Sequence, residues 1–81
     1  MTTLYQVTLC VNRRARTFRV STFQVCVETR EHRSREHADV SLSLLRPFAA
    51  FLMERGYTAQ GGDSGITWYQ RITDSETLAA G

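Results

Sequence analysis

The sequence predicts an α+β domain of order β-β-α-β-β, an antiparallel sheet covered on one face by a single helix of about residues 39–55, bent near Pro47. Three observations carry this expectation. Residues 4–12 and 17–28 are strand-like and joined by a short polar connection. Residues 38–56 form the one long apolar stretch with helical spacing. Residues 57–72 repeat the strand–turn–strand pattern around glycines.

In the first hairpin, Tyr5, Val7, Leu9 and Val11 alternate with Gln6, Thr8, Cys10 and Asn12, the pattern of a half-buried strand. Arg13-Arg14-Ala15-Arg16 connects it to a second β-forming run. A four-residue connection sets Asn12 against Thr17, Val11 against Phe18 and Leu9 against Val20. The apolar phase of the second strand then changes, from Phe18 and Val20 to Phe23, Val25 and Val27. A β-bulge at Ser21-Thr22 would return the later set to the core and pair Val7 with Phe23 and Tyr5 with Val25. In this register Cys10 faces Arg19 and Cys26 lies near Leu4, roughly 20 Å away along the strand, too far for a disulfide.

Residues 29–37 are the most polar stretch and read as a solvated connector. His32 and His37 are five apart, whereas two metal ligands on one helical face want four. In the helical stretch, Ala38, Leu42, Leu45, Ala49 and Leu52 are spaced 4, 3, 4, 3 across Pro47, and Gly56 supplies a stop. Val40 to Leu44 also reads at period two, so a short strand ahead of a Pro47–Arg55 helix is the alternative. The apolar arc is about 200° wide, broader than one sheet face needs, with Leu44 and Phe51 at its margins.

The second hairpin pairs Gln60 with Gly65, Ala59 with Ile66 and Tyr57 with Trp68, matching apolar residues across the strands. Its Gly61-Gly62-Asp63-Ser64-Gly65 run lacks a phosphate-loop pattern and precedes a strand instead of opening a helix. Residues 1–72 thus form one domain and residues 73–81 a small, polar tail expected to fray.

No apolar run approaches the ~20 residues of a membrane span, and the N-terminal segment has no basic stretch typical of a signal peptide, so a cytoplasmic protein is expected. The net charge is +2, and all ten basic residues are arginine. GC-rich coding and selection for the planar, multi-donor guanidinium both produce that composition. No convergent acid, base, nucleophile or metal-ligand set is visible, so neither an enzyme nor a bound cofactor is expected.

The remaining functional classes are binding functions. A small protein-binding module that blocks a surface on a larger protein or complex is the principal reading. In type, though in no motif, it matches the small inhibitors encoded by phages and other mobile elements, anti-CRISPR proteins among them. The face opposite the helix is expected to carry Arg19, Tyr69 and Arg71 as contact residues, with Arg13, Arg14 and Arg16 at the hairpin tip. The alternative is a DNA- or RNA-binding protein acting through its arginines, with clusters at 13–19 and 30–35. These clusters sit at opposite ends of a long strand, and Glu28, Glu31 and Glu36 dilute the second. A homodimer formed through a sheet edge or the uncovered face is a third reading.

Overall fold

The computed structural model describes residues 1–63 and 65–74. Within these residues, six antiparallel strands and one α-helix form the expected α+β fold: β1 (Thr2–Asn12), β2 (Thr17–Cys26), β3 (His32–Glu36), β4 (Val40–Ser41), α1 (Leu45–Glu54), β5 (Thr58–Asp63) and β6 (Ile66–Asp74). The sheet order is β3-β2-β1-β6-β5, and β4 continues along the β2 edge that β3 also pairs. The chain therefore leaves one edge through α1, crosses one face of the sheet and re-enters at the other edge.

The first hairpin has the anticipated register at its tip, with Asn12 opposite Thr17, Val11 opposite Phe18 and Leu9 opposite Val20. The Asn12 side chain accepts a hydrogen bond from the Ala15 amide at 3.2 Å, and Arg16 takes a positive φ of 55° to close the turn. The expected bulge does not exist. Pairing continues unbroken to Thr3–Cys26, with Val7 opposite Thr22, Gln6 opposite Phe23 and Leu4 opposite Val25. Because side chains alternate, Phe23 and Val25 project from the face opposite Val7, Leu9, Phe18 and Val20. The change of apolar phase thus marks where the helical cover ends. A ten-residue helix spans only ~15 Å, far less than an eleven-residue strand.

The charged segment is likewise not a loop, since His32–Glu36 forms edge strand β3. Arg30, at φ 63°, reverses the chain, and its amide bonds the Cys26 carbonyl at 2.7 Å. Charged side chains on an edge strand discourage edge-to-edge pairing, which accounts for so polar a strand.

The helical region starts later than residue 39. Val40 and Ser41 form β4, opposite Phe18 and Thr17, and a 3₁₀ turn (Leu42–Leu44) leads into α1. Pro47 then falls in the first α-helical turn, where its missing N–H removes no intrahelical bond. The helix ends in a Schellman arrangement around Gly56 at φ 89°: Gly56 N donates to Met53 O and Tyr57 N to Leu52 O, at 3.1 and 3.0 Å.

In the second hairpin Asp63 pairs with Ile66, Gly61 with Trp68 and Ala59 with Tyr69, with a register shift between Ala59 and Gly61. This replaces the expected pairing of Gln60 with Gly65 and of Tyr57 with Trp68. Against β1, Tyr69 lies opposite Val7 and Trp68 opposite Thr8, so Tyr69 joins the core and Trp68 projects from the uncovered face. Strand β6 reaches Asp74, beyond the expected domain limit at residue 72; of the tail expected at 73–81, residues 75–81 lie outside the described residues.

Val7, Leu9, Phe18, Val20, Leu52 and Tyr69 form the buried core, flanked by Leu45, Phe48 and Ala49 of the helix. The Phe18 and Phe48 rings meet at 5.9 Å and 56°. With extents of 49 × 23 × 21 Å and a radius of gyration of 14.4 Å, the domain is longer than a compact chain of its length, for which about 12 Å is typical.

Far from the helix, the Thr2 amide donates to both carboxylate oxygens of Glu28, at 2.8 and 3.0 Å. This hydrogen bond holds the Glu28 carboxyl below its ordinary range. Its stabilisation is full above the unfolded-state pKa and is lost as pH falls through the lower folded value. Protection of the Thr2 amide from exchange is expected to drop over that acid interval in the native protein. In Glu28→Gln it should show no such drop.

Candidate functional site

The sheet has two unlike faces. On the face without the helix, pairing aligns His32, Val25, Leu4 and Ile72 in one row across β3, β2, β1 and β6. The adjacent row carries Phe23, Gln6 and Gln70, and the Gln70 amide donates to the Gln6 side-chain oxygen at 3.1 Å. Phe23 lies 5.8 Å from the His32 ring. Further along, Trp68 packs over Gly61, where a Cβ would meet its ring at 3.2 Å. The glycine is therefore a seat for the indole. Ile72 is 67% exposed, Ile66 41% and Phe23 36%.

The helix-side face is different beyond the end of α1. A row of Arg33, Gln24, Tyr5 and Arg71 crosses it, again one residue from each of four strands, the first two exposed and the last two half-buried. Arg35 and Thr22 lie on the next row, beside the core residue Val7. The Arg71 guanidinium is stacked between Tyr5 and Tyr57, at 4.8 and 5.1 Å from the ring centroids. It also donates to the Arg55 carbonyl at 3.1 Å, tying β6 to the helix C-terminus. The Arg55 side chain covers the Phe51 ring at 4.6 Å.

The residues anticipated as one contact surface are not brought together. Arg19 is exposed on the open face, where it pairs with Asp39 at 3.1 Å, a hydrogen bond that raises its pKa further. Tyr69 is only 7% exposed and belongs to the core. Arg71 is half-buried on the helix side. Arg13, Arg14 and Arg16 are exposed at the hairpin tip, and Arg13 and Arg16 line an open depression of about 810 Å³ there with Leu42 and Leu45.

The apolar open face was missed because the supposed bulge turned Phe23 and Val25 inward. The signal was present: Leu4, Phe23, Val25, Ile66, Trp68 and Ile72 carry the opposite parity to the core residues of their own strands. Arg33 and Arg35 were missed with β3 itself, although their spacing of two already places them on one side of any strand.

Cys10 and Cys26 are free thiols on opposite faces. Cys26 has a lowered pKa, chiefly through a hydrogen bond with the Thr29 side chain. Among the described residues, no group of three His, Cys, Asp or Glu side chains is placed to hold a metal, and no helix is long and apolar enough to cross a membrane. Comparison of the chain with family models, curated proteins and solved structures gives no match.

Proposed function

We propose that this chain is a non-enzymatic protein-binding module that seats a larger protein on its open sheet face, as an inhibitor or accessory subunit does. The observation that carries the reading is the apolar row Val25–Leu4–Ile72, extended by Phe23 and Trp68 on a face that the helix leaves bare. Five strands at ~4.8 Å and a ladder of ~30 Å give a face on the order of 700 Å², close to the ~800 Å² each partner contributes to a stable interface. Apolar centre and polar rim also follow interface anatomy, with Arg19, Asp39 and Glu36 toward one end. Burying a large apolar side chain contributes ~1.5–3 kcal/mol, so the exposed part of four or five such groups is enough to offset ordering costs at micromolar affinity.

The test is capture of a partner by immobilised protein from nuclease-treated lysate of the native host, combined with surface variants. Ile72→Asp and Phe23→Ser should each weaken capture at least tenfold, while Arg13→Ala/Arg14→Ala leaves it unchanged. Sedimentation at micromolar concentration supplies the second readout. A monomer fits a separate partner, whereas self-association abolished by Ile72→Asp would assign the face to a second copy and overturn this reading.

A further inference from the structure

The structure points to a second binding surface, independent of the open face: we propose that the cleft beside the C-terminal end of α1 binds single-stranded nucleic acid. Two adjoining depressions of about 600 and 440 Å³ share Val7, Thr22, His37 and Tyr57 and together form this cleft. Arg33 and Arg35 line one side, Arg55 and Arg71 the other, and among the described residues no Asp or Glu lines either depression. In a chain whose net charge is only +2, four arginines and a histidine around one concavity are a local concentration of positive charge.

The geometry favours a single strand over other anions. Arg33 and Arg35 are two residues apart on β3, about 7 Å, comparable with the spacing of neighbouring phosphates on an extended strand. Between them and Arg71 lie Gln24 and Tyr5, an amide for base edges and an aromatic ring for stacking. The Arg71 guanidinium lies over the Tyr5 ring, so the ring is positioned before any ligand arrives. A merely acidic peptide would use the charges and have no need of the ring. A duplex is too broad for depressions of this size.

Fluorescence anisotropy with labelled oligothymidylate at low salt tests the assignment. The intact protein should bind, and Arg33→Ala/Arg35→Ala, both fully surface positions, should weaken binding at least tenfold. That variant should also flatten the dependence of log K on log salt by about 1.4, for two single-strand phosphates. Tyr5→Leu should weaken binding with the slope unchanged. Arg13→Ala/Arg14→Ala and Ile72→Asp should have no effect, which separates this result from the fate of the open-face reading. The proposal is overturned by absence of binding at low salt, by equal affinity for a duplex, or by loss of binding in the hairpin-tip variant. Displacement by polyglutamate with Tyr5→Leu silent would assign the cleft to acidic peptides and overturn it equally.

Discussion

Phe18→Ala is expected to cost about 3–5 kcal/mol, the usual range for deleting a buried phenyl ring. Phe18 has no exposed surface and, with Leu9, is one of the two largest fully buried side chains. It is enclosed by Val11 of β1, Val40 of β4 and the Phe48 ring of the helix. These neighbours belong to three elements, so the cavity cannot close by movement of one of them. At roughly 0.05–0.15 kcal/mol per residue a domain of this length holds about 4–12 kcal/mol, and one substitution would remove a quarter or more of it. Urea unfolding should show a midpoint lowered by at least about a quarter with the slope preserved. Phe18→Leu, which keeps most of the volume, should lose only about 1–2 kcal/mol. An alanine variant with native stability would remove Phe18 from the centre of the core.

Burial under the helix also decides which parts of the fold the residues announce. Alternation in residues 7–11 and 17–20 is unambiguous, because Val7, Leu9, Phe18 and Val20 belong to the core and Val11 packs against it, and the pairs Val11–Phe18 and Leu9–Val20 follow directly. One helix crossing one sheet face is equally legible from the apolar spacing and Gly56. Beyond Ser21 the alternation persists but its meaning changes. Parity says which residues share a face; it does not say whether that face is covered. Coverage depends on helix length, and the start of α1 was obscured because Val40–Leu44 satisfies both periods.

Residues 66–72 show the same ambiguity in another form. Ile66, Trp68 and Ile72 are collectively more apolar than Thr67, Tyr69 and Arg71, yet it is Tyr69 that faces Val7 and the core. The irregularity between Ala59 and Gly61 would have to be known beforehand to see it, since Gly61 provides the space in which Trp68 lies on the other side. The candidate sites inherit these errors. Arginines at the hairpin tip are conspicuous in sequence, whereas Arg33 and Arg35 acquire a common direction only once β3 pairs with β2.

Arg71 supplies the second large effect, and it is structural in origin. Arg71→Ala removes two cation–π contacts, each ~0.5–1 kcal/mol, and a charge-assisted bond to the Arg55 carbonyl worth about 1.5 kcal/mol. With the group partly exposed, a net loss of about 2 kcal/mol is expected, or roughly 8–16 °C in Tm for a domain of this size. Arg71→Lys should recover little, because an ammonium cannot lie flat between Tyr5 and Tyr57 while also donating to the helix end. The aliphatic stem matters as well: Arg71 Cδ lies 3.5 Å from where a Gly56 Cβ would be, so the stem packs directly on the residue that terminates α1. Arg71→Met, which keeps a stem and deletes the charge, should therefore fall between alanine and the native protein in thermal melting. If lysine instead restored the native Tm, positive charge alone would be sufficient and the stacked geometry would contribute nothing. If methionine did so, packing against Gly56 would be the whole effect. The expected order, Arg above Met and Lys and those above Ala, requires stem, plane and charge together, and it makes Arg71 the joint that holds the helix end over Tyr5.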